Sequence, residues 1–190
     1  MIEGNLNSKD HLTILVNEKG IKNWEQLTDL VKNIPYGRNA NRTDLSLIIK
    51  ENKGSCSSKH AFLAKIADLN TIPQVKLILG IYKMNQSNTP GIGDELERNS
   101  IEYIPEAHCY LKIDGSYVDL TAVDSNFINL KNDILEEIEI EPEQVADFKV
   151  EFHKNYLRKW LTTSNQKMSF DELWNIREQC IKNLSEQTSS

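Results

Sequence analysis

The sequence predicts an α+β fold: helices packed on an antiparallel sheet, with a cysteine at the N-terminus of one helix. Three observations predict it. Gly54-Ser55-Cys56 leads into an apolar face at helical spacing, formed by Phe62, Leu63, Ile66, Ala67 and Leu69. Residues 106–121 alternate about Asp114-Gly115, a strong two-residue hairpin signal. Helical segments, 20–52 and 141–186, flank the 54–121 region that holds both features.

The bulk numbers bound the class. A chain of 190 residues reads as one domain, residues 1–190, able to bury a core without staples. Hydrophobic content of 39% against 26% charged is globular rather than disordered. The net charge of -6 argues against a nucleic-acid surface. The run Glu136, Glu137, Glu139, Glu141 and Glu143 reads as a solvated acidic edge. The 3 cysteines include no C-x-x-C pair, so neither a disulfide scaffold nor a zinc site is expected, and no cofactor is implied. Met1 to Asp10 lacks an apolar signal core, and no stretch of about 18 apolar residues offers a membrane span. The expected location is the cytoplasm, with reduced thiols.

The elements follow in order. His11 to Val16 reads equally as a short strand or a helix start. Trp24, Leu27, Leu30, Val31 and Ile34 make a helical face that Asn23 can cap and Pro35 ends. Thr43 or Asp44 opens a short helix through Ile49, and Lys53-Gly54 closes it. Ser55 caps the next helix, which stops at Asn70 and Pro73. Val75 to Tyr82 is a strand. Residues 84–104 form a long polar connection, broken by a short helix around Asp94–Arg98. Ile134–Ile140 reads as a strand, and Pro142 as the first turn of a helix running to Trp160. Ser169-Phe170-Asp171-Glu172 is a capping box for a last helix, after which Thr188-Ser189-Ser190 frays.

Chemistry enters through three residues. A two-residue turn sets Tyr110 opposite Asp119, so His108 and Asp119 share a face as diagonal neighbours, within side-chain reach. The carboxylate would fix the ring tautomer and leave the other nitrogen to meet a thiol. Cys56 at a helix start gains partial positive charge, and its N–H can hold an oxyanion. Gly54 admits a close backbone approach. Each residue alone also has a plain structural reading, as a small buried thiol, a hydrogen-bonded ring and a strand-end cap. The combination favours a Cys56, His108, Asp119 constellation. Cys109 and Cys180 read as core, His60 as a structural or surface residue, and His11 and His153 as lacking partners at metal spacing. A metal held by His108, Cys109 and Asp119 would need ligands from both strand faces.

Gly54-Ser55-Cys56, His108 and Asp119-Leu120-Thr121 together resemble the transglutaminase-like superfamily within the papain-like cysteine enzymes. Tyr110, two residues after the histidine, fits as well. Ser57 follows the cysteine where many relatives carry tryptophan. The resemblance implies a papain-like fold and a thioester intermediate formed from an amide or peptide bond. A peptide or protein substrate is then implied, with hydrolysis favoured over amine transfer. Tyr36 and Arg38, in the turn that precedes the site, are candidate substrate or oxyanion residues, although a plain loop also explains them. The alternative is a non-catalytic papain-like scaffold that binds a peptide or protein.

Overall fold

Apolar side chains dominate Val75–Met84 and Ile104–Ile113, and burying both faces of such strands requires neighbours on each side. In the computed structural model, which describes residues 4–187, they are β1 and β2, paired antiparallel from Val75↔Ile113 to Met84↔Ile104. Ser116–Val118 (β3) and Ile134–Ile140 (β4) complete a sheet of order β3-β2-β1-β4. The expected fraying of Thr188-Ser189-Ser190 concerns residues outside those described.

The hairpin register is the one a two-residue turn dictates: Leu111↔Val118, Lys112↔Tyr117 and Ile113↔Ser116. Asp114 (φ 48) and Gly115 (φ 79) both take the left-handed conformation that such a turn needs. The ladder is shorter than the sequence predicts, because Asp119 Oδ1 accepts the Thr121 N–H at 2.9 Å and curls the chain out of the sheet. The β2 edge from Ile104 to Tyr110 is therefore not covered by β3.

Among the described residues there are seven α-helices. His11–Glu18 (α1) settles the ambiguous N-terminal stretch as helix, because Asp10 accepts the N–H groups of Leu12 and Thr13. Trp24–Asn33 (α2) is capped by Asn23 and stops before Pro35. Leu47–Lys50 (α3) is a single turn, opened by Asp44 bonding both Ser46 N and Ser46 Oγ. Cys56–Leu69 (α4) carries a reciprocal cap between Ser55 and Ser58. Glu95–Arg98 (α5) interrupts the long connection as expected. Asp147–Thr163 (α6) starts later than predicted: Pro142–Val145 is a separate 3-10 turn, and Ala146 (ψ -105) breaks the path. Phe170–Gln187 (α7) opens on the Ser169–Glu172 capping box.

One glycine role is corrected. The left-handed residue after α3 is Asn52 (φ 48), not Gly54. Gly54 is needed for space, since a Cβ there would lie 2.7 Å from Ile48 Cδ1 and 2.9 Å from Lys59 Cγ.

Two large cores and a smaller cluster of Ile78, Tyr110 and Phe127 hold the sheet. Phe62, Leu63 and Ile66 of α4 pack with Leu79, Ile81, Cys109 and Leu111 of the sheet and with Leu27 and Val31 of α2. Tyr82, Met84 and Ile104 pack with Leu157 of α6 and Leu173, Cys180 and Ile181 of α7. Each such side chain, fully buried, contributes about 1.5–3 kcal/mol. Cys109 and Cys180 are thus core residues, as expected. The acidic stretch on β4 is exposed but partnered: Glu139 meets Lys76 at 2.7 Å and Glu137 accepts the Tyr117 hydroxyl at 3.1 Å. Among the described residues, no helix is long and apolar enough to cross a membrane.

Candidate active site

The loop before α4 sets the thiol. Gly54 donates its N–H to Pro35 O at 3.0 Å and accepts that of Gly37 at 3.2 Å, giving a parallel bridge between Tyr36 and Gly54. Tyr36 is thereby held alongside the start of α4. Ser55 Oγ takes the Ser58 N–H and Ser55 O takes that of Lys59. The N–H groups of Cys56 and Ser57 keep no protein acceptor among the described residues, as the first turn of a helix permits. Cys56 itself is 8% exposed.

His108 Nε2 meets Asp119 Oδ2 at 2.8 Å. The Asp-Leu-Thr sequence explains why that oxygen is available. Thr121 occupies the other one, donating from N at 2.9 Å and from Oγ1 at 2.6 Å. With Nε2 engaged, Nδ1 is the ring nitrogen left for the thiol. The structure thus brings Cys56, His108 and Asp119 together.

The helix that carries Cys56 also grips the segment that carries Asp119. Lys59 is fully buried and donates its ammonium to Ile34 O and, at 2.6 Å, to Thr121 O. His60 is fully buried too, with Nδ1 on Cys56 O and Nε2 accepting the Leu120 N–H, both at 2.8 Å. His60 is therefore structural, and it touches the Cys56 carbonyl rather than the thiol. Nothing in the sequence marked Lys59, because a lysine on a helix reads as solvated.

Charge decides the resting state. Burial opposes a Cys56 thiolate, but the Lys149 ammonium, and then the charge and hydrogen bonding of His108, bring its pKa down to about 6. Burial likewise opposes a charged His108, but Asp119 and Cys56 push it up to about 10. For Asp119, too, burial is the opposing effect, and the charge and hydrogen bond of His108 outweigh it and hold the carboxyl below its usual range. These opposing shifts favour a thiolate–imidazolium pair, braced by a carboxylate, at neutral pH. Burial pushes Tyr36 up, with Cys56 and Glu106 adding to it, so its phenol stays protonated.

Two cavities flank the thiol, and Tyr36, Cys56, Glu106 and Ile181 line both. Of the two upstream candidates, Tyr36 lies at the site, and its hydroxyl has no protein partner among the described residues. Arg38 reaches the wall of one cavity, but its guanidinium is committed to Glu178 at 2.8 and 3.2 Å. Sequence reasoning missed Lys149, whose Nζ donates to Ser57 Oγ at 2.6 Å. It also missed Glu106 and its buried partner Arg177, joined by two hydrogen bonds, one of them 2.7 Å from Nε. Period two could have found Glu106, which shares the His108 face. Among the described residues, no three His, Cys, Asp or Glu side chains are grouped to hold a metal ion.

A polarised thiol, a charged ring beside it and free N–H donors at the same point are the parts nucleophilic attack on a carbonyl requires. No protein-family model, curated protein or solved structure matches this chain.

Proposed function

We propose that this protein is a transglutaminase-like, papain-like cysteine enzyme acting on an amide or peptide bond of a peptide or protein substrate. The observation that carries the reading is the 2.8 Å contact between His108 Nε2 and Asp119 Oδ2, which leaves the other ring nitrogen to the Cys56 thiol. The Cys56 thiolate attacks the carbonyl carbon, forming the S–C bond. The negative charge moves to the carbonyl oxygen, where the Cys56 N–H and the Tyr36 hydroxyl are the available donors. The intermediate collapses with cleavage of the C–N bond, and the departing nitrogen takes the His108 proton. A thioester remains. Water then loses a proton to His108 and attacks, and expulsion of the Cys56 thiolate releases the acid. Both half-reactions use the same three side chains, and hydrolysis asks for no second organic substrate.

The test is an activated acyl-peptide probe followed by peptide mapping. The expected result is an acyl adduct on Cys56 that turns over in water and is absent in His108→Ala. Tyr36→Phe should slow acylation by about 10²–10³-fold if the phenol serves the oxyanion. An adduct formed only on Cys109 or Cys180, or one on Cys56 forming no faster than on glutathione, refutes the reading.

A further inference from the structure

The two cavities beside Cys56 differ in size and charge. One is about 440 Å³ and opens past His108 and Asp119. The other is about 80 Å³, room for a small functional group rather than a large side chain. Its walls carry Arg38, Arg42, Lys149 and Arg177 against Glu106 and Glu178. The two carboxylates are already spent: Arg177 takes Glu106, and Arg38 takes Glu178, which Arg177 also meets. Arg42 and Lys149 have no carboxylate partner among the described residues. Two cations without a carboxylate ion pair among the described residues thus face one small cavity of a chain whose net charge is -6. Lys149 is also tied to the reacting centre. Its Nζ lies 2.6 Å from Ser57 Oγ, which in turn lies 3.8 Å from Cys56 Sγ.

We propose that the small cavity is an anion subsite, where Lys149 and Arg42 receive a substrate carboxylate carried next to the reacting carbonyl. The inference rests on the acyl-transfer reading above and assigns the substrate class to that site. The sequence of charges suits it. Before reaction Lys149 faces the thiolate. Once the S–C bond forms, that negative charge leaves the sulfur, and the ammonium is free to hold the carboxylate. A low-dielectric cleft strengthens such a contact relative to one in water.

Iodoacetate and iodoacetamide provide the test. Each forms an S–C bond with the same thiolate and expels iodide, and they differ only in a carboxylate against an amide. The quantity read is the ratio of their rate constants at Cys56, in which the thiolate fraction cancels. At low salt the wild-type ratio should exceed that of glutathione by about tenfold. It should fall by about fivefold in Lys149→Gln or Arg42→Gln, and fall again with added salt. His108 also attracts the anion, but it is present in every variant, so the comparison isolates the two cations. Should Lys149→Gln fail to fold, Arg42→Gln decides, since that side chain is exposed. Ratios unchanged in the folded variants, with Cys56 still reactive, overturn this inference alone. A Cys56 no more reactive than glutathione toward either reagent overturns the acyl-transfer reading beneath it. Short acetylated peptides as competitors of iodoacetamide identify the source: protection by a free C-terminus assigns a chain end, and protection by an amidated peptide with Glu assigns a side chain.

Discussion

His60 Nε2 accepts the backbone N–H of Leu120 at 2.8 Å, so the helix that presents Cys56 also holds the segment that presents Asp119. The other ring nitrogen sits 2.8 Å from Cys56 O. A carbonyl can only accept and a backbone N–H can only donate. One neutral tautomer therefore satisfies both contacts, with the proton on Nδ1. Lys59 adds the Thr121 carbonyl from the preceding residue of the same helix. Thiol and carboxylate are located by adjacent residues of one rigid element, and only His108 comes from the sheet.

Acid should dismantle this brace first. Burial lowers the His60 pKa to about 4, against an ordinary 6.5. The unfolded chain binds the proton first, so the contribution of His60 is full above about 6.5 and is lost as pH falls to about 4, roughly 3 kcal/mol in all. Urea unfolding between pH 7 and 4.5 measures it. His60→Gln should be less stable at pH 7 by about 1–3 kcal/mol and should show a shallower fall with acid. His153 is also depressed by burial and contributes equally to both proteins, so the difference in slope belongs to His60. Equal slopes would refute the assignment.

The thiolate pair sets a second pH window. Alkylation of Cys56 should rise with a midpoint near 6, the value at which burial is outweighed by Lys149 and His108. In His108→Ala the midpoint should move up toward the ordinary thiol range, cutting the rate at pH 7 by roughly 30-fold at most, with Lys149 retaining part of the effect. Asp119→Asn keeps the shape of the side chain but removes the charge that supports the ring, so it should move the midpoint in the same direction. A midpoint above 8 in the wild type would show that the pair does not form.

Gly54→Ala should destabilise by about 1–3 kcal/mol, through overpacking and not through backbone strain. The added methyl meets Ile48 Cδ1 and Lys59 Cγ, and the lysine cannot retreat because its ammonium is held by two carbonyls. A urea midpoint equal to wild type would mean that Lys59 is free to move.

What was readable in the chain was local or periodic. Ser55 as a cap, the thiol at the start of α4 and the hairpin register each depend on a few adjacent residues, and all appear as the sequence predicts. The residues that escaped notice act across the fold. Lys149 meets Ser57 only because α6, packed on β2, brings its first turn to the start of α4, and Arg177 meets Glu106 only because α7 closes over the sheet. Lys59 is hidden for a different reason. Helix α4 is buried on nearly every side, so its inward lysine carries no periodic mark. The shortened β3 follows from a competition that periodicity ignores, since the Asp119 side chain outbids the ladder for the Thr121 N–H.

The buried Glu106–Arg177 pair should behave as a unit. Glu106 is 4% exposed and Arg177 8%, and the carboxylate is held well below its usual range because the guanidinium outweighs the opposing effect of burial. Arg177 also lies 5.2 Å over the ring of Trp174 on the same helix, and its bond to Glu106 on β2 ties α7 down as a wall of the cleft. Removing Arg177 strands the buried Glu106 carboxylate, whereas removing Glu106 leaves Arg177 its second contact, with Glu178. Arg177→Met should therefore cost about 3–5 kcal/mol, and Glu106→Leu less. The double variant strands nothing and replaces the pair with apolar volume, so it should recover most of that loss. A double-mutant cycle in urea, with Cys56 alkylation followed in parallel, separates the outcomes. Strong coupling with normal alkylation in the double variant would make the pair a structural pin for α7. Additive losses would mean that each side chain is satisfied without the other, and the pin would have to be sought elsewhere.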